Sequence, residues 1–398
     1  MTMDNVPNQT VICQCLKLLN VDPSRNTSLD YRARKLFVGS ATLLFIEAQL
    51  HQRGSYKVIA EHLAANRDFQ KFLQLESISA AQLSRKMKQL PMANLQTLFF
   101  SIMERIKQQT KNLKGITPGI GKLNLLDSTG VTLPPILAKW CYCSETNHGA
   151  KMHTSLVVVD SKTMYPGKII ASTKDIADHE VALEFTVDKD ATYVMDRGYQ
   201  VYEHFQQWLE DKIKFVCRVK ENSRLTIIRE RELPKRQKGF IRDADVKLPG
   251  LPGVFRLIEF YDDQKRTYRL VTNRFDLSAH QIAEIYRNRW HIELFFKWVK
   301  QHIRLVKPHG YTPEVIWNQM YIALIAYALC LLVKLTLDCK KSMWDLLQLI
   351  RIYAEKPWED LMKALYRKPT RTSKGRTKRN GRPPKKAKKS MEPRLIIR

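Results

Sequence analysis

The stretch that most constrains this chain runs from Tyr286 to Lys300, YRNRWHIELFFKWVK. It belongs to a helical pattern beginning near Ser278, a residue type that caps helix N-termini well. At about 100° per residue, Tyr286, Arg289, Glu293 and Lys300 fall within one arc of about 60°. An apolar stripe lies beside that arc: Ile285, Ile292, Phe295, Phe296, Val299 and Ile303. The helix can therefore bury one face and present Tyr, Arg, Glu and Lys along the edge of the next. A solvated face with an i,i+4 pair between Arg289 and Glu293 is the plainest use of that pattern.

Two acids stand earlier in the chain at the ends of apolar runs. LNLLD reads as a short buried strand ending at Asp127, with Ser128, Thr129 and Gly130 as a polar turn. A carboxylate there is costly unless something compensates it, and a metal ion would; an Asx-type turn is the simpler role. TYVMDRGYQVYEHFQQWLED reads as strand, turn and helix. Asp196 sits just past Tyr193, Val194 and Met195, and Gly198 permits a tight turn.

The gaps from Tyr286 to Arg289 to Glu293 to Lys300 are two, three and six residues. This pattern resembles the Y-R-E-K signature of the DDE transposases of the bacterial insertion-sequence-four family. LNLLD and Asp196-Arg-Gly-Tyr resemble that family's first and second acidic motifs, and the resemblance spans residues 120–305. It implies a ribonuclease H-like core in which Asp127, Asp196 and Glu293 form the catalytic triad. The three would hold two Mg²⁺ ions, with Mn²⁺ able to substitute. Tyr286, Arg289 and Lys300 would meet terminal phosphates. Arg197 would neutralise Asp196 or touch phosphate, and Trp290 would stack on a displaced base or be buried.

The resemblance further implies double-stranded DNA as partner: terminal inverted repeats, then target DNA, in a synaptic homodimer. A nuclease that cuts without joining, and an inactive DNA-binding relative, are the rival readings. In some relatives a tryptophan in an inserted segment stacks on a flipped base. Residues 222–273 contain no Trp. Their aromatics include Phe255, Phe260, Tyr261 and Tyr268, and core packing is the expected role for most of them.

Charge agrees with a nucleic-acid partner. Lys and Arg number 67 against 39 acids, a formal charge of +28, which points to a polyanion. A membrane is a poorer fit: the longest apolar run, Met320 to Val333, has 14 residues, short for a bilayer and suited to a buried core helix. The N-terminus lacks the basic and apolar regions of a signal peptide. Seven cysteines without such a signal read as reduced thiols in a cytoplasmic protein, at the nucleoid if the resemblance holds. Cys141, Cys143, His148 and His153 fit no standard zinc spacing, so zinc is not expected there. The roles of His148 and Lys151 stay open.

The expected fold is α/β: a ribonuclease H-like core with a mixed five-stranded sheet and flanking helices. Residues 1–115 would form a helical DNA-binding domain, with Ser55 as a cap and Ser79 with Gln82 in capping-box spacing. Its third, basic helix would point Arg85, Lys86 and Lys88 outward, as in a helix-turn-helix-like module. The core would occupy 116–221 and 274–340, split by a β-rich insertion at 222–273. Helices would fill 341–366. Residues 367–398 hold 14 Lys and Arg and one acid, a disordered basic arm for phosphate; RNGRPPKK within it partly resembles a minor-groove hook.

Overall fold

The computed structural model describes residues 9–111, 120–145, 148–160, 163–233, 239–262, 264–303 and 308–367. Six helices come first: α1 (Val11–Lys17), α2 (Val38–Leu50), α3 (Tyr56–Ala65), α4 (Arg67–Leu73), α5 (Ala80–Gln89) and α6 (Met92–Thr110). Their starts are locally encoded. Ser55 accepts from the Val58 N–H, Asn66 from the Phe69 N–H, and Ser79 with Gln82 closes the expected capping box, each satisfying N–H groups that a helix start leaves free.

Of the three basic residues expected to face outward from α5, Arg85 and Lys88 do and Lys86 does not. Lys86 is buried and reaches Asp30 at 3.4 Å. It lies three residues after Leu83 and one before Met87, on the stripe those two bury, so helical spacing carries it inward.

Nine strands form one sheet among the described residues: β1 (Leu123–Thr132), β2 (Gly149–Val158), β3 (Met164–Thr173), β4 (Thr192–Met195), β5 (Lys214–Arg218), β6 (Thr226–Glu230), β7 (Phe240–Lys247), β8 (Val254–Tyr261) and β9 (Thr267–Thr272). Their order is β3-β2-β1-β4-β5-β9-β8-β7-β6. β1 is antiparallel to β2 and parallel to β4, which is parallel to β5. α7 (Ala182–Phe185) precedes β4, and α8 (Tyr202–Glu210) is the crossover from β4 to β5.

The polar turn expected at Ser128–Gly130 is strand instead. β1 runs through it, paired with β2 as far as Thr132↔Gly149. On its other edge β4 is short, and the pairing ends at Leu125↔Val194. Cross-strand hydrogen bonds from β2 hold the polar residues extended, an effect local propensity does not register.

Side chains alternate along a strand. Leu123 and Leu125 enter one core and Leu126 the opposite one; Val194 joins the first, Tyr193 and Met195 the second. Asp127 and the extended Asp196 therefore take the face of Leu125 and Val194. On the other face Phe205 and Trp208 of α8 pack on Phe215.

The inserted segment has the three expected strands and a fourth. β7, FIRDADVK, was hidden because charged residues occupy its buried positions. Asp243 accepts from Arg256 at 2.6 and 2.8 Å, and Asp245 from Arg229 and Arg231. Because β9 pairs with β5, the insertion extends the five core strands into a sheet of nine.

The pattern starting at Ser278 becomes two helices, α9 (Ala279–Arg287) and α10 (Trp290–His302). Ser278 and Gln281 form a capping box. At the joint, N–H groups reach three residues back: Arg289 to Tyr286, His291 to Asn288 and Ile292 to Arg289. This 3₁₀-like tightening adds rotation per residue.

α11 (Pro313–Thr336) is apolar on every face and almost wholly buried. It is long and apolar enough to cross a bilayer by composition, but here it is a core helix. Asn318 donates to the Met87 and Leu90 carbonyls at the end of α5, both at 2.9 Å, and Gln96 of α6 donates to the Tyr321 hydroxyl at 3.0 Å. α12 (Met343–Ile352) and α13 (Trp358–Leu365) follow. Residues 368–398, most of the basic arm, lie outside the described residues.

Candidate active site

Strand alternation and the packing of α10 against β1 bring together residues far apart in the chain. Arg289 Nη1 lies 3.2 Å from Asp127 Oδ2, and its Nη2 donates to Glu293 Oε1. Asp196 accepts from the Gly198 N–H at 2.8 Å, capping a short 3₁₀ turn, while Asp127 accepts from the Ser128 N–H at 2.8 Å. Asp127, Asp196, Arg289, Glu293, Lys297 and Lys300 line one open cleft of about 600 Å³.

Burial pushes the Asp127 carboxyl up to about 7; the charges of Asp196 and Asp178 push the same way, while the Ser128 N–H and Arg289 oppose them. Burial, and then Lys174, lowers the Lys300 ammonium. The Arg289 guanidinium is raised: burial opposes its charge, but Tyr286, Glu293 and Asp127 outweigh it. Like charges are thus crowded around a site whose only bridging cation in the protein is one guanidinium among the described residues.

Not every residue on the expected arc enters this cleft. Tyr286 is buried and, with Trp290, lines an adjoining cavity of about 210 Å³ that also borders Arg218, Phe260, Tyr268 and Arg289. The tightened joint between α9 and α10 turns Tyr286 away from Glu293 and Lys300. Tyr268 stacks on Phe260 at 5.5 Å and meets Tyr286 edge-on at 5.8 Å, with Arg218 over its ring at 4.3 Å. Burial pushes the Tyr286 hydroxyl up to about 12. Phe255 is core; Tyr261 is exposed. Trp290 is 58% exposed, so of its two expected roles burial is excluded. Arg197 is also exposed and makes no ion pair with Asp196 among the described residues.

Within the cysteine–histidine stretch, His148 stays beside the cysteines and His153 does not. Cys141 ends a 3₁₀ turn and is buried, His148 bridges to Tyr142, and His153 faces Asp178 on the sheet. Three cleft neighbours escaped the sequence reading: Asp178, Lys297 and Tyr199. Asp178 follows no apolar strand run, and Lys297 and Tyr199 show only once helix and turn are placed.

The donor set fits a hard cation in kind: Asp127, Asp196 and Glu293 offer only carboxylate oxygens. Among the described residues, no three His, Cys, Asp or Glu side chains stand at metal-ligand spacing. Arg289 lies between Asp127 and Glu293, where a cation's charge would otherwise be needed. A buried Asp127 with a raised proton affinity is what a carboxylate cluster lacking full counter-charge should show.

The family model for the transposase DDE domain matches residues 120–329. A putative transposase of Sinorhizobium fredii is 31% identical over 247 residues, 60% of this chain and 67% of its own. A probable transposase for an insertion sequence element of Geobacillus stearothermophilus is 28% identical over 293 residues, 72% and 73% of the two chains. A putative insertion-sequence transposase of Synechocystis is 25% identical over 289 residues, 70% and 78%. With the matched segment covering more than half of its length, this chain belongs to the family of transposases that carry a DDE domain.

Proposed function

We propose that the chain is the cut-and-paste transposase of an insertion sequence of the insertion-sequence-four type. Asp127, Asp196 and Glu293 are its catalytic triad, on a ribonuclease H-like core formed by β1 to β5. The carrying observation is that one guanidinium, Arg289, bonds both Asp127, 162 residues away in sequence, and Glu293. Residues on a strand and a helix with no local reason to meet share one counter-ion.

The three carboxylates would hold two Mg²⁺, or Mn²⁺, in the cleft. Such ions, when bound, supply charge that activates an attacking oxygen and stabilises a leaving one. The chain's own residues do the rest. Lys300 and Lys297 neutralise and orient the phosphates flanking the scissile bond. Arg289, which bonds Asp127 and Glu293 here, would offer its fork to a phosphate where cations balance those carboxylates instead. Trp290, exposed beside the aromatic cavity, offers a stacking face to a displaced base, and Arg197 offers a phosphate contact. Water attacks first, nicking the element's end; the freed 3′-hydroxyl then attacks target DNA, the same phosphoryl transfer with a different attacking oxygen.

Terminal inverted repeats would be read by the N-terminal helices, with Arg85 and Lys88 exposed for contact, inside a synaptic homodimer at the nucleoid. The basic arm would add salt-dependent phosphate binding. The test is incubation with cognate end DNA and Mg²⁺. Wild type is expected to release 3′ ends, and Glu293→Ala is not. Cleavage retained by Glu293→Ala would remove that residue from the mechanism.

A further inference from the structure

The cleft adjoins a fourth carboxylate that the triad does not use. Asp178 opens a short 3₁₀ turn after β3, and its side chain is 24% exposed. Its Oδ1 lies 3.1 Å from Lys151 Nζ and 3.2 Å from His153 Nδ1, both on β2, and has no well-directed hydrogen bond among the described residues. Ser128 follows Asp127 and pairs with His153 across β1 and β2. A Cβ on Gly198 would stand 3.0 Å from Asp196 Oδ1 and 3.7 Å from Asp178 Oδ2, so both carboxylates border the space that glycine leaves open.

Two wholly buried side chains point unused polar atoms at this place. Tyr199 has a hydroxyl with no hydrogen-bond partner among the described residues, and it feels the charges of Asp178, Asp127 and Asp196. His153 has its Nε2 2.9 Å from the Ser172 hydroxyl, whose proton goes to the Thr173 carbonyl, so Nε2 donates there. Its Nδ1 faces Asp178 Oδ1 without a well-directed hydrogen bond. Buried polar atoms are costly to leave unpaired. Three carboxylates, an open gap and an orphaned phenol make a place that a hydrated cation would satisfy.

We infer that Asp178 is a fourth carboxylate of the cation site, a positioning residue that acts through Asp127 and Asp196. Its charge adds to their attraction for a divalent ion, and its contacts with Lys151 and His153 tie it to β2, the strand paired with β1 at Asp127. Lys151 on β2 opposes that charge in part. The inference rests on the triad reading above, and its test separates the two.

The experiment titrates the full chain with Mn²⁺ alone and counts free ion by electron paramagnetic resonance. Asp127→Asn is expected to abolish tight binding. Asp178→Asn, nearly isosteric, is expected to weaken it about tenfold or more, as loss of an outer-shell partner does. Lys151→Met removes an opposing charge and is expected to tighten it a few-fold; a folding defect cannot produce that opposite shift. If Asp178→Asn binds like wild type while Asp127→Asn does not, Asp178 is no part of the site and the triad stands. Weaker binding in both Asp178→Asn and Lys151→Met makes the role merely structural and overturns the inference. A wild type that binds no Mn²⁺, with or without end DNA, removes the triad reading and this inference with it.

Discussion

Asp127 on β1 and Asp196, the residue just past the end of β4, each lie two residues beyond the Leu125↔Val194 pair of these parallel strands. Alternation sends both to the face of the sheet on which α10 packs, so Glu293 needs only the right turn of its helix to join them. Burial of Asp127 first, and the carboxylate of Asp196 beside it next, raise the proton affinity of Asp127.

The first prediction concerns pH. The Asp127 carboxyl sits at about 7 in the fold against about 4 in an unfolded chain. A carboxyl that holds its proton more tightly when folded contributes stability that is full below pH 4 and is lost as pH rises through 7. In metal-free buffer at pH 8, Asp127→Asn should therefore be more stable than wild type, by on the order of 1–4 kcal/mol. At pH 3, below both values, the two should melt together. Thermal unfolding at both pH values decides it, and a variant no more stable at pH 8 contradicts the account.

Arg289 offers a second test. Its fork spans Asp127 and Glu293 with two different nitrogens, which a lysine ammonium cannot reproduce. Arg289→Lys should lose end cleavage almost as fully as Arg289→Ala, roughly 10²-fold or more. Near-normal cleavage by the lysine variant would show that charge alone suffices.

Lys300 lines the cleft with its ammonium lowered, first by burial. Lys300→Ala should bind end DNA within a few-fold of wild type yet cleave it poorly. Gel-shift and nicking assays on one preparation separate the two effects, and a variant with normal turnover would count against a phosphate role.

Asn318 ties the N-terminal helices to α11. It is fully buried, and its amide N–H groups donate to Met87 and Leu90 carbonyls at the end of α5. Asn318→Ala leaves both carbonyls unpaired and should cost about 2 kcal/mol or more. Amide exchange should speed up at the end of α5 before it does in β1. Uniform loosening would mean that the bond does not fasten that helix in particular.

Sequence alone determined which residue types could matter and where the strong local signals fell. The capping residues Ser55, Ser79 and Ser278, the apolar runs of β1 and β4, the long apolar run of α11 and the Tyr286–Lys300 pattern are each carried by neighbouring residues, so they could be read directly. Tertiary structure decided the remainder. Pairing with β2 kept Ser128–Gly130 extended, ion pairs let the charged β7 enter the sheet, and the joint between α9 and α10 parted Tyr286 from Glu293. Lys86 turned inward to Asp30, and Asp178 came to the aspartates from a turn with no strand signal. The extended Ser128–Gly130, the charged β7 and the placing of Asp178 depend on partners more than ten residues away, whose hydrogen bonds and charges outweigh local preference; the helix joint and the inward turn of Lys86 are local effects that only packing selected.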